Sequence, residues 1–150
     1  MAQPVNGGAS RPRGELNTIR FDEAEEAAIA HCTLNSSTYY LFFCVYTDTR
    51  HINAGDVRDF PFRGKSYGPK DRAALTKLSD QLAQEFEANT SKWRKSGLLI
   101  DSTNSAACKR TLDEIDALVA SHYGLSNEEL DFVINNDIKY RMSSIAEDEG

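Results

Sequence analysis

Cysteine is scarce and badly spaced for bridging. The three present, Cys32, Cys44 and Cys108, are odd in number and widely separated. That pattern excludes a disulfide framework and matches no metal-ligand spacing. Cys32 and Cys44 sit among apolar neighbours, which predicts small buried thiols. No apolar run approaches the roughly 18 to 20 residues a membrane span needs. The first residues lack the apolar stretch of a secretory signal, so a cytoplasmic chain is expected. There are four prolines, no two of them adjacent, and no internal repeat. What is there is 150 residues, 40% apolar and 27% charged, enough for one domain with a real core.

The net charge of −6 is unevenly spread. Residues 1–49 hold three Lys/Arg against six Asp/Glu, residues 50–110 twelve against seven, and residues 111–150 two against ten. A basic middle between acidic ends suits phosphate contact through the middle alone. The acidic whole argues against a strong free-standing nucleic-acid binder.

Residues 1–17, rich in Gly, Pro, Ser and Asn, are expected to form a flexible leader, and 143–150 an acidic tail. Between them, 18–142 is predicted to be a single helical domain of about four to five helices with at most a short strand. Asp22–His31 has alanines, acids at its start and His31 at its end, as a helix should. Asp71 to about Trp93 is predicted to be the longest helix. Leu75, Leu78, Leu82, Phe86 and Trp93 share one of its faces, and Lys92, Arg94 and Lys95 close it. Gly97–Asp101 suits a short strand. Thr111 and Glu114 form a capping box for a helix with Leu112, Ile115, Leu118 and Val119 inward, stopped at Gly124. Ser126 and Glu129 make a second capping box, flanked by Leu125 and Leu130 as a staple; Leu130, Val133, Ile134 and Ile138 then face the core.

The most hydrophobic stretch is Leu34 to Phe62, LNSSTYYLFFCVYTDTRHINAGDVRDFPF. An Asn35-Ser36-Ser37 cap leads into eight apolar or aromatic residues, Tyr39 to Tyr46. The run alone fits buried helix or buried strand, and the cap favours helix. A loop follows from Thr47 to Gly55. Asn53-Ala54-Gly55 is its turn, and Asp56 is expected to begin a single helical turn that Pro61 ends, since the residue before proline leaves helical geometry. Arg63–Lys70 is a further loop with two glycines and three basic residues.

This order of parts resembles adenine-N6 DNA methyltransferases of restriction–modification systems. There an Asn-Ser-capped aromatic helix leads to an Arg/His-bearing loop that ends in a (D/N)FP(F/I) element, here Asp59-Phe60-Pro61-Phe62. The ending GLSNEELDFVINNDIKYRM, Gly124–Met142, resembles the C-terminal ending of many of the same enzymes. The resemblance covers roughly Leu34–Phe62 and Ile115–Met142. It implies the C-terminal, target-recognition side of such an enzyme, with double-stranded DNA and a catalytic methyltransferase subunit as partners.

It also implies an Asn/Asp-Pro-Pro-Tyr/Phe motif for the flipped adenine and a Gly-rich turn for S-adenosylmethionine. With prolines only at 4, 12, 61 and 69, there is no Pro-Pro pair, and no strand leads into a G-x-G turn. The cofactor is therefore expected only in a full-length relative or a partner, and this chain is expected to be non-catalytic. Other chemistry is weaker still. Asp48, Arg50 and His51 are read as solvated loop residues, and the adjacent His31 and Cys32 do not share a helix face. Asp113, Glu114 and Asp116 suit a helix N-terminus rather than a metal site.

Candidate DNA contacts are Arg50, His51, Arg58, Arg63, Lys65 and Lys70, with Arg72 close by and Tyr67 interleaved. Arg and Lys on Gly-rich loops suit phosphates, and Arg also reads guanine edges. A solvated basic surface paired with the acidic helices accounts for the same residues. Likewise the aromatic run is either a base-stacking platform or core. Lys139, Tyr140 and Arg141 are expected to dock the C-terminus onto the body of the enzyme. The competing class is a small acidic helical protein-binding module, a regulator or inhibitor. An exposed acidic face on 111–150 favours that module, and a continuous basic face on 50–95 favours DNA.

Overall fold

The computed structural model describes residues 2–4, 18–47, 49, 52–95 and 98–136. Among the described residues are six α-helices and one three-stranded antiparallel sheet. The chain is mainly helical, as its periodicity predicts. The sheet is larger than the one short strand expected.

Helix α1, Ala24–Leu34, carries Glu25 and Glu26 in its first turn and His31 in its last, matching charge to the helix dipole. The Asn-Ser-Ser segment then divides its work. The Asn35 side chain donates to the carbonyl of His31 (2.8 Å) and closes α1. Ser36 Oγ accepts from the Tyr39 amide (3.2 Å) and so caps α2, Ser37–Tyr46. The apolar run is therefore helical. Helix α3, Ala54–Asp59, starts two residues before the expected Asp56, because Asn53 caps it and draws Ala54 and Gly55 out of the loop; it ends at Phe60, which is extended (φ −65°, ψ 130°) ahead of Pro61.

Helix α4, Pro69–Ala88, starts on proline at its first turn, where the missing amide costs nothing. It buries Leu75, Leu78 and Leu82. It stops short of the predicted end at Trp93 because two side chains turn back on it. Asn89 Nδ2 donates to the Glu85 carbonyl (2.8 Å), and Thr90 Oγ1 donates to the Phe86 carbonyl (2.6 Å). Lys92, Trp93, Arg94 and Lys95 thus lie on strand β2, Thr90–Lys95, and not on a helix end. Strand β3, Leu98–Thr103, pairs with β2 from Lys95↔Leu98 to Thr90↔Thr103. Its other edge pairs with β1, Ala2–Pro4, from Pro4↔Leu98 to Ala2↔Ile100. The strand β1 falls in the segment expected as a leader; residues 5–17 and the tail from 137 lie outside the described residues.

Helix α5, Lys109–His122, follows a 3-10 turn at Ser105–Cys108. It begins two residues before Thr111, which is therefore not its cap. Thr111 is buried instead, donating to Glu85 Oε1 (2.8 Å) and accepting from Gln81 Nε2 (2.7 Å). These bonds from Gln81 and Thr111 hold the Glu85 carboxyl below the usual range. At the far end Gly124 takes φ +80°. Its amide bonds to Ser121 (3.1 Å) and that of Leu125 to Ala120 (2.9 Å), a Schellman closure. The second capping box is present: the Ser126 amide donates to Glu129 Oε2 (2.7 Å), and the Glu129 amide to Ser126 Oγ (3.2 Å). It starts α6, Asn127–Asn136, where Val133 is buried and Leu130 and Ile134 are half-buried.

The core lies between α1, α4 and α5: Ile29 and Cys32, then Leu75, Leu78 and Leu82, then Ile115 and Val119, joined by Tyr67 and Cys108. Cys32 donates to the Leu75 carbonyl (3.3 Å), and burial pushes its thiol up to about 12, so it is inert packing. Cys44 is exposed, contrary to its apolar neighbourhood in sequence, because it points away from the face α2 packs.

Acid should weaken this fold through His31 and Glu129, alongside the Glu85 carboxyl described above. His31 Nδ1 is 2.9 Å from Ser79 Oγ, and burial lowers its pKa below the ordinary imidazole value of about 6.5. The unfolded chain binds that proton first, so stability falls as pH drops from about 6.5 toward the lowered folded value. The Glu129 carboxyl is lowered by the Ser126 amide and hydroxyl. Its contribution is present above the ordinary value of about 4.3 and disappears as pH falls through the folded one. Denaturant titrations from pH 8 to 3 should show both losses. His31→Gln should flatten the upper one and Glu129→Gln the lower; unchanged profiles would refute the assignment.

Candidate nucleic-acid interface

The cationic segment runs from α3 to the start of α4, and the sequence pins it at both ends. At Asn53 a capping box closes: Asn53 Oδ1 accepts from the amides of Gly55 (2.8 Å) and Asp56 (3.2 Å), while Asp56 Oδ2 accepts from that of Asn53 (2.9 Å). A side chain at Gly55 would meet Asn53 Oδ1 at 2.9 Å, so glycine keeps the cap tight. Beyond α3, Phe60 is buried in a ring cluster with Tyr39 (5.2 Å), Phe42 (5.1 Å) and Tyr123 (5.4 Å). Tyr123 Oη donates to the Pro61 carbonyl (3.1 Å). The Asp-Phe-Pro-Phe element is thus an anchor, with its first phenylalanine as the plug.

Past the anchor, Gly64 is buried so close to the Phe62 ring that an added Cβ would lie 2.6 Å from it. Gly64–Ser66 forms a 3-10 turn. Ser66 Oγ donates to the Arg63 carbonyl (2.8 Å) and sits 3.0 Å from His122 Nε2. The Tyr67 ring stacks on His122 at 3.5 Å and 15°. His122 therefore holds this turn, beyond complementing its own helix end. Tyr67 is buried by the stack, and so cannot interleave with bases as the sequence suggested.

Of the predicted contacts, Arg58, Arg63, Lys65 and Lys70 are all exposed on this segment. Arg50 and His51 lie outside the described residues. Arg63 stands 6.0 Å over the Tyr123 ring, at the limit of a cation–π contact. Lys65 reaches Glu26 at 4.0 Å and Arg58 reaches Asp59 at 3.9 Å. The Arg58 pair is exposed on both sides and so weak and readily opened to a phosphate, whereas Lys65 reaches a largely covered Glu26. Arg72 differs: its guanidinium is bonded to Glu25 and flanked by Glu23 (3.8 Å), and it is only 19% exposed. It belongs to the α1–α4 packing rather than to the cationic set.

The aromatic run divides along α2. Tyr39 and Phe43 are buried, while Val45 and Tyr46 are exposed, the latter 74%. Phe42 bridges the halves, stacked on Tyr46 at 4.8 Å. Tyr39 and Phe43 are core, Tyr40 and Phe42 are half-buried, and Tyr46 presents a face a base could meet.

Sequence reading missed the bond that fixes α2. Asp116, taken as one of three acids at a helix start, is buried in α5. It accepts from the Ser37 amide (2.6 Å) and the Ser37 hydroxyl (2.7 Å). An acid among the apolar positions of α5 was the available signal. Asp113 and Glu114 do stay at the surface, paired with Lys109 (2.7 Å) and Arg110 (3.4 Å).

An apolar groove of about 690 Å³ lies beside the anchor, between the segment Thr18–Phe21 and residues Ile52–Phe62, with Arg20 and Arg58 among its lining. Among the described residues no His/Cys/Asp/Glu group is arranged to hold a metal ion. No helix there is long and apolar enough to cross a membrane. No family model, curated protein or solved structure matches the chain.

Proposed function

We propose that this chain is the non-catalytic, recognition-side portion of an adenine-N6 DNA methyltransferase of the restriction–modification type, working in the cytoplasm to position duplex DNA for a catalytic subunit. One observation carries the reading. The two blocks with the family resemblance, far apart in sequence, are packed on each other through polar bonds. Asp116 of the second block holds Ser37 of the first, and Tyr123 holds Pro61. Ser37 and the Asp-Phe-Pro-Phe element of the first block are thus fastened by α5 and the residue after it, beneath the cationic segment. From it Arg58, Arg63, Lys65 and Lys70 face solvent, as phosphate contacts require. S-Adenosylmethionine would be held by the catalytic subunit, whose adenine and cofactor motifs this chain lacks.

The test is fluorescence anisotropy with a labelled duplex under falling salt. Binding with a dissociation constant of roughly 1–100 µM that weakens as salt rises is the expected result. A flat signal at low salt would sink autonomous DNA recognition. The apolar groove and the acids of α6 favour a second reading, a protein-binding module, and a pull-down with the intact chain distinguishes it.

A further inference from the structure

An apolar groove that borders the cationic segment and an exposed aromatic on α6 complement each other. The groove is lined by Phe21, Leu34, Ile52, Val57 and Phe60, with Arg20 and Arg58 also on its wall and both exposed. Ile52 is 57% exposed, so its apolar wall stands open to water. Helix α6 supplies no residue to it. Instead α6 carries Phe132, 63% exposed, with the exposed carboxylates Glu128 and Glu129 one turn before it. At spacings of four and three residues all three lie on one helical side. An aromatic knob framed by acids fits an apolar slot walled by arginines, in both shape class and charge.

We infer that a second copy of this chain is the occupant of the groove: Phe132 of one copy enters it, and Glu128 and Glu129 meet Arg20 and Arg58 of the other. Groove and knob are different surfaces, so the contact is head-to-tail, and each copy keeps one of each free for the next. One phenylalanine buries on the order of 200 Å², well below a standard interface. The association is accordingly weak and electrostatically assisted, visible at about 10–500 µM and diminished by salt.

Sedimentation equilibrium over that range tests it on the intact chain. The wild-type weight-average mass should climb with concentration beyond a dimer and fall back in high salt. Phe132→Asp removes the knob. Ile52→Asp places an acid in the groove, outside the proposed DNA contacts. Both positions are exposed, and circular dichroism checks that each variant stays folded. Each alone should remain monomeric. Mixed one to one, they retain a single usable contact, Ile52→Asp supplying the knob and Phe132→Asp the groove, so the mixture should form a heterodimer and stop there. A wild-type chain that stays monomeric overturns the inference. So does association that both variants keep, or a mixture no heavier than its parts; in those cases the groove serves another partner.

Discussion

Asp116→Ala should lower the unfolding free energy by about 3 kcal/mol, with α2 loosened beyond the rest of the fold. The carboxylate is buried and takes two short bonds from Ser37, one from the amide and one from the hydroxyl. An acceptor with charge, placed at the first turn of a helix, satisfies a donor the helix cannot and faces its positive end. Alanine removes both bonds and leaves the Ser37 amide buried without its partner. Asp116→Asn keeps the shape and one acceptor, so it should cost roughly half as much. Chemical denaturation measures both, and hydrogen exchange in α2 locates the damage. A loss below about 1 kcal/mol for the alanine variant would show that water replaces the carboxylate and that the anchor is weaker than described.

Changing Arg63, Lys65 and Lys70 together to Ala should weaken duplex binding on the order of 100-fold at 0.1 M salt. The slope of log affinity against log salt should flatten by about 2.7, since each phosphate neutralised contributes about 0.9. All three side chains are exposed around the 3-10 turn that leads into α4. None belongs to the core, so stability should hold. Arg72→Ala is the contrasting case. Its guanidinium is committed to Glu25 and Glu23, so it should disturb α1–α4 packing while leaving the salt slope alone. A triple variant with an unchanged slope would remove this segment from the DNA surface.

Local chemistry was the legible part of the fold. The Ser126–Glu129 capping box, the stop at Gly124, the proline-limited α3 and the serine cap of α2 were all readable, because each is settled within a few residues. The end of α4 was not. Leu82 to Trp93 kept a helical spacing, yet Asn89 and Thr90 turned back onto the last carbonyls and the chain left as a strand. Thr111 mimicked a cap, but its partners Gln81 and Glu85 stand on another helix. For the candidate site, the sequence named the cations but not which were spent. Arg72 looks like its neighbours in the chain, and only the approach of α1 pairs it. Tyr67 likewise is withdrawn by a stack on His122, a residue 55 positions away.

The anchor also sets an order of events. Ser37 waits for Asp116, 79 residues later, and Pro61 waits for Tyr123, 62 residues later. During synthesis at about 5–20 residues per second, the aromatic helix and the loop after it emerge several seconds before the side chains that fasten them. Until then Tyr39, Phe42 and Phe60 lack the Tyr123 ring that closes their cluster. A nascent chain stalled before residue 116 would expose its most hydrophobic stretch, making that interval the one in which a chaperone has most to hold.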